Sequence, residues 1–423
     1  MVGAKNYALL EEVKNIWDPQ HILNPNKIVH TPSMNSMLRY TPGQFTPAFK
    51  TIFRFHQQNI LQHAEQCNGS GDCRKTHLSG GTMCPSYMAT RDEKDTTRAR
   101  ANILREFLTH SEKENRFDHK EIYEVMSLCL SCKACKSECP SNVDMAKLKA
   151  EFLQHYYDAN GIPFRARLIA HFTQVSKLAS LIPAFYNALI KNKFTSTVIK
   201  KISGFALDRS MPMISKQTMK SWYSSNKNAL LSNSDKQVYL FCDEFTNYND
   251  AAIGIMAIEL LHTLGYEVII PSHLESGRTW LSKGLVRKAK KIANQNIELL
   301  SSLISASTPL IGLEPSAILT FRDEYPDLAT NENVAAAQHL AKHSFFIDEF
   351  LASEIQAGNI TKDHQVYIQN GTPKLPLRFL PIEFYDTNVV NEYCPPDSND
   401  FPSGYKNMFY FWSIDFLEYL VDF

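Results

Sequence analysis

The hydrophobic and polar positions change their period along the chain. A short helix, LLEEVKNIW, is followed by the irregular stretch DPQHILNPNKIV, where Asp-Pro and Asn-Pro mark turns. From Phe49 to about Gly161 the pattern is helical. Asp95 or Thr96 is placed to cap TTRARANILREFL, and Asp144 to cap MAKLKAEFLQHYYDAN, which closes on Gly161. Phe164 to Phe205 is apolar, basic and poor in acids. Beyond it QVYLF and YEVII read as strands joined by the apolar helix AAIGIMAIELLHTLG, a βαβ unit. SGRTWLSKGLVRKAKKIANQNIELL then reads as one lysine-rich amphipathic helix, and PLIGLEP as the next strand and turn.

These elements predict an α+β multidomain chain, a helical module followed by an α/β domain with a mostly parallel sheet. Its segments are residues 1–45, a helical domain at 46–161, a basic helical connector at 162–233, the α/β domain at 234–365 and an irregular tail at 366–423. A length of 423 residues suits such a division. Lysine plus arginine equals aspartate plus glutamate, 44 each, so charge gives no reason to expect a nucleic-acid partner. No apolar run reaches the ~18 residues of a membrane-spanning helix. The basic connector suits either a membrane-surface face or a pair of helices packed on the cysteine region with their lysines in water; the second is the simpler reading. No signal peptide is evident, and the chain is read as cytoplasmic, with peripheral contact at the inner membrane face as the extension of the first reading.

The cysteines carry the chemistry. Cys129, Cys132, Cys135 and Cys139, the last followed by Pro140, have the spacing C-x2-C-x2-C-x3-C-P. That run places three thiolates on one iron–sulfur cluster and sends the fourth to a second cluster. A second set, Cys67, Cys73 and Cys84 with Pro85, lies upstream, and Ser70 stands where another cysteine belongs. Crossed pairing gives a complete 4Fe-4S set of Cys129, Cys132, Cys135 and Cys84. The other set, Cys67, Cys73 and Cys139, is one thiolate short, so the second cluster is either 3Fe-4S or 4Fe-4S with a ligand such as Ser70. Soft iron–sulfur sites hold a hydroxyl less firmly than a thiolate, which favours the three-iron form. Structural zinc is the competing reading, but zinc sites usually pair two separated CxxC or CxxH elements. Disulfides suit such bunched thiols in an intracellular protein still less.

DPQHILNPNKIV, CNGSGDCRK, MCPSYMATRDEKDTTRARANILREFL, CLSCKACKSECPSNVDMAKLKAEFL and GLEPSAILTFRDEYPDL resemble the C-terminal half of FAD-linked D-2-hydroxyacid dehydrogenases, the large D-lactate and D-2-hydroxyglutarate enzymes. The resemblance covers about Ala8 to Leu351. It implies a relay in which FAD takes a hydride from the hydroxy acid and the clusters pass electrons singly to a quinone or other acceptor. Residues 1–45 would then be the end of an FAD-linked oxidase domain. The flavin and substrate half is missing, so FAD is expected on a missing domain or a flavoprotein partner, and the chain alone is not expected to oxidise a hydroxy acid. Two other readings stand beside this one: a free cluster subunit of another quinone-linked dehydrogenase, such as the glycerol-3-phosphate type, and a non-catalytic iron–sulfur sensor or scaffold.

The sequence departs from the family in two places. Where CCG-type motifs belong, it reads HLESGR and EPSA, so a third cluster is not expected; His273, Glu275, Arg278 and Glu314 are candidates for a polar acceptor or docking site, with structural roles the simpler reading. Beyond Tyr367 the aromatic-rich tail, with Cys394, is read as degenerate or out of frame. Arg74, Lys75, Arg91, Arg98 and Arg100 crowd the first cysteine set and are placed to offset cluster charge, or simply to be solvated. Cys242, alone after a strand, reads as a small buried apolar residue.

Overall fold

The computed structural model describes residues 2–360 except 37, 39–42, 44, 77 and 231–235. The tail and Cys394 lie outside these residues. Two compact units are formed, Met1–Pro47 and Ala48–Phe423. The first holds α1 (Ala4–Trp17), which buries none of its residues. Its end is fixed by Asp18, whose carboxylate accepts from the amides of Ile22 and Leu23 at 2.9 Å, satisfying the turn that Asp-Pro begins.

The second unit begins with a helical module of α2 (Ile60–Glu65), α3 (Pro85–Thr90), α4 (Thr97–His110), α5 (Lys120–Ser127), α6 (Ala134–Glu138) and α7 (Met145–Asn160). Thr96 caps α4 through the amide of Ala99, and Asp144 caps α7 through that of Lys147. Helix α7 is buried on nearly every side, Lys147, Lys149 and Glu151 included. The Glu151 carboxylate accepts from the amides of Ile52 and Phe53 at 2.7 and 3.1 Å, which ties the incoming irregular segment to α7.

Residues 164–226 form α8 (Phe164–Ala170), α9 (Phe172–Ala179), α10 (Pro183–Lys191), α11 (Lys193–Ser203) and α12 (Met219–Asn226). The expected pair of helices is therefore corrected: four short helices occupy residues 164–203. Pro183 starts α10 and Asn192 caps α11, so each restarts the helix in a new direction.

The α/β domain follows the order β1 (Gln237–Phe241), α13 (Glu244–Tyr248), α14 (Ala251–Thr263), β2 (Glu267–Ile269), α15 (Arg278–Ser282), α16 (Val286–Leu300), β3 (Leu310–Gly312), α17 (Pro315–Leu328), α18 (Val334–Lys342), β4 (Ser344–Phe346) and α19 (Ile347–Gln356). The sheet is wholly parallel, in the order β2-β1-β3-β4, with Val238 opposite Val268 and Leu240 opposite Ile311. The single helix expected over SGRTWLSKGLVRKAKKIANQNIELL is in fact two. Gly284 has φ +71°, and a Cβ there would stand 2.3 Å from Leu153 Cβ, so the chain breaks at that point to let α7 approach. One apolar core runs from Leu104, Ile122 and Phe152 of the helical module into Leu240, Ile311 and Phe321 around the sheet.

Candidate metal centre

Each cysteine sits at a helix end or in a tight loop. Cys84 has φ +58° and precedes Pro85, the first residue of α3. Ser131 and Lys133 also have left-handed backbones, φ +57° and +63°, and fold the Cys129–Cys135 loop back on itself. Cys135 lies in α6, and Cys139 ends it. Cys67, Cys73, Cys84, Cys129 and Cys135 are buried, Cys132 and Cys139 half-buried.

Helix N-termini are aimed at the sulfurs. The first amide of α4, Thr97 N, donates to Cys84 Sγ at 3.1 Å, with Thr97 Oγ1 2.9 Å from the same atom. The next amide, Arg98 N, donates to Cys73 Sγ at 3.4 Å. The first amide of α7, Met145 N, does the same to Cys135 Sγ at 3.4 Å. Such amides have no partner within their own helix and favour negative charge, so each cysteine is offered stabilisation as a thiolate.

The sulfurs act on one another. The Cys84 thiol donates to Cys73 and draws it down to about 6, burial notwithstanding. Cys84 itself is pushed far up, first by that bond and by burial, and also by the charge of Cys135. Burial, then Asp144 and the neighbouring Cys132 and Cys129, pushes Cys135 up as well. A pocket that gathers thiolates yet opposes their bare charge suits a cationic iron core, which deprotonates and neutralises them together. Among the described residues no three His, Cys, Asp or Glu side chains close on a single-ion point. Ser70 lies on an exposed turn, and its hydroxyl donates to Asp72 Oδ2 at 3.1 Å.

The basic residues near the cysteines divide by role. Arg98 spans the first loop, donating to the Gly69 carbonyl at 3.2 Å and to Glu93 at 2.7 Å. Lys75 pairs with Glu138 at 2.7 Å, joining the two cysteine segments, and Glu138 also accepts from Thr82 N. Arg100 is buried on Asp95, Ser86 and the Val125 carbonyl, a structural clamp. Arg74 pairs with Glu93 at the surface, and Arg91 ends α3 with φ +59°.

The electrostatic seam against the sheet domain was not apparent from the chain. Lys133, which follows Cys132, pairs with Asp323 and with Glu324 at 2.8 Å; Lys136, which follows Cys135, pairs with Asp323; Lys147 pairs with Asp327. Arg278 Nη1 donates to Glu324 at 2.9 Å, and its Nη2 to the carbonyl of Ser131 at 3.4 Å. The acids repeat along α17 at helical spacing, and this was the available signal. Of the polar candidates, Glu275 accepts from Trp280 Nε1, Glu314 caps α17 and His273 packs at a tilt against Phe241, while Arg278 reaches a cysteine loop. Cys242 is buried against Met219 Sδ at 3.5 Å.

Residues 66–144 match the family model described as a 4Fe-4S dicluster domain. The D-2-hydroxyglutarate dehydrogenase of Pseudomonas putida is 25% identical over 364 residues, 75% of this chain and 36% of the relative. That of Escherichia coli K12 is 24% identical over 368 residues, 76% of this chain and 36% of the relative. One subunit of the anaerobic glycerol-3-phosphate dehydrogenase of Escherichia coli K12 is 28% identical over 134 residues, 31% of this chain and 34% of the relative. The chain thus spans about a third of the length of these curated relatives. No solved structure matches it. The chain carries an iron–sulfur module of the dehydrogenase type, and the likeness to the first two relatives, at three quarters of the chain, extends well beyond the 66–144 module.

Proposed function

We propose that this chain is the electron-relay part of a flavin-dependent D-2-hydroxyacid dehydrogenase, passing single electrons from a flavoprotein domain or subunit to a quinone or another acceptor. The observation that carries the reading is the convergence of helix N-terminal amides on Cys73, Cys84 and Cys135 within a module matched as a dicluster domain. When bound, the clusters supply one-electron chemistry that no side chain here offers. The chain's own residues hold them, bury them and donate hydrogen bonds to the sulfurs, the levers that set a cluster's potential.

Cys129, Cys132, Cys135 and Cys84 are assigned to the complete cluster, and Cys67, Cys73 and Cys139 to the second. The nearness of Cys84 to Cys135 supports the first set. The contact of Cys84 with Cys73 makes Cys84 the meeting point of the two sets, as a relay requires. In the second set Ser70, held by Asp72, leaves the three-iron form preferred.

The test is reduction of the loaded chain by a purified flavoprotein of the D-2-hydroxyacid dehydrogenase type, with D-2-hydroxyglutarate and D-lactate as donors and cluster bleaching as the readout. Clusters that bleach with dithionite but with neither hydroxy acid would remove this reading in favour of the glycerol-3-phosphate type, tested in the same way with that donor.

A further inference from the structure

Residues 164–207 contain no aspartate or glutamate and seven lysines and arginines. In the structure two of their helices, α9 and α11, are inside out, whereas α8 and α10 bury Ile169 and Ile190. On α11 the buried positions are Ser196, Lys200 and Ser203, while Phe194 is 78% and Ile202 70% exposed. On α9 Ser176 is buried and Leu178 is 71% exposed. Between and within the next helix Leu181, Ile182 and Phe185 are 74%, 64% and 62% exposed. A surface helix in water turns its apolar stripe to the core; here polar groups are turned inward and made at home there. Lys200, for instance, donates to the Leu207 carbonyl at 3.1 Å. Apolar surface on this scale, spread over consecutive helices, marks a site of association.

We propose that α9, α10 and α11 form a docking face for an anionic lipid bilayer. The charge selects this occupant. Lys177, Lys191, Lys193 and Lys201 flank the exposed apolar residues, are themselves exposed, and meet no acid on the same segment. Aromatic and aliphatic groups with lysines around them enter the headgroup boundary, and the lysines add attraction to acidic lipids. Among the described residues no helix is long and apolar enough to cross a membrane; the contact proposed is a peripheral one.

The helix that precedes this face, α8, is linked to the cysteines. Thr279 Oγ1 donates to the Ala170 carbonyl of α8 at 3.2 Å, and the preceding residue, Arg278, reaches the carbonyl of Ser131 between Cys129 and Cys132. Docking through this layer therefore brings the cluster loop to the membrane and selects a lipid-soluble acceptor. That last step rests on the electron-relay reading; the docking itself does not.

The experiment is flotation of the full loaded chain with phosphatidylcholine vesicles, with and without phosphatidylglycerol. Binding to the phosphatidylglycerol vesicles alone, weakened several-fold by high salt and lost in the Leu181→Asp/Phe185→Asp variant, is the expected result. Cluster absorbance unchanged in that variant shows that it is folded. Three outcomes overturn the proposal: no flotation on either vesicle, flotation that the variant retains, and self-association without lipid that the variant abolishes. The last makes the face an interface between copies. Flotation without reduction by either hydroxy acid would leave docking intact and sink the D-2-hydroxyacid reading, so the two fail separately.

Discussion

Lys133 Nζ lies 2.8 Å from Glu324 Oε1, joining the residue after Cys132 to helix α17 of the parallel-sheet domain. Both side chains are almost wholly buried, 11% and 7% exposed. Burial opposes the charge on Lys133, yet Asp323, Glu324 and Asp144 together hold its pKa well above the usual lysine value. The cysteine loop is thereby locked to its neighbour by charges that cannot be left single.

Glu324→Gln should therefore destabilise the protein by on the order of 3 kcal/mol, because Lys133 and Arg278 both lose a buried counter-charge. Arg322→Ala, which breaks an exposed pair with Glu349, should cost less than about 1 kcal/mol. Denaturant midpoints of the loaded proteins, measured anaerobically, compare the two. Equal losses would show that the seam is held by packing alone.

A pH dependence follows from the acids after β1. Burial pushes the Glu244 carboxyl up to about 8 from the ordinary 4.5, although Ser276 donates to it from both its amide and its hydroxyl. Asp243 beside it is likewise raised to about 7, by burial first and then by Glu314. The folded chain thus keeps protons that the unfolded chain releases. Stability is greatest below about pH 4.5 for this group and falls as pH rises through about 8, by up to a few kcal/mol. Glu244→Gln should flatten that fall, as read from unfolding midpoints between pH 5 and 9. A slope unchanged by the substitution would assign it elsewhere.

Gly284→Ala tests the approach of α15 and α16 to α7. With φ +71° and Leu153 Cβ only 2.3 Å from the added carbon, the variant should lose about 2 kcal/mol. Gly358→Ala, with a similar φ of +76° but open space around it, isolates the backbone share and should cost less.

Ser70→Cys bears on the second cluster. If Cys67, Cys73 and Cys139 hold three irons, a thiolate at position 70 completes the spacing, and iron per chain should rise from about seven to about eight. The oxidised-state EPR signal of a three-iron cluster should fade in step. An unchanged iron count and spectrum would count against the three-iron form.

Much of this was legible in the chain, because local chemistry fixes it. The Thr96 and Asp144 caps and the strand QVYLF follow from side chains acting within a few residues. The cysteine runs were legible for the same reason. What escaped depended on distant partners. The strand β4, Ser344–Phe346, is too short to show a period and exists because β3 pairs with it. The break at Gly284 answers to Leu153, far back in the sequence. Asp323, Glu324 and Asp327 acquire their role only where α17 meets Lys133, Lys136 and Lys147 of the helical module. The outward turn of Phe194 and Ile202 contradicts the rule that apolar residues face the core, and such violations gather where function asks for them.

We assign these cysteines to two iron–sulfur clusters of unequal kind, a proposal open to direct count. EPR spectroscopy of the anaerobically reconstituted chain, with iron and acid-labile sulfide counted in the same sample, tests it most directly. Two spin systems and about eight sulfides per chain are expected, one system lost in Cys135→Ser and the other in Cys67→Ser. Bound zinc with no labile sulfide and no cluster signal would contradict it.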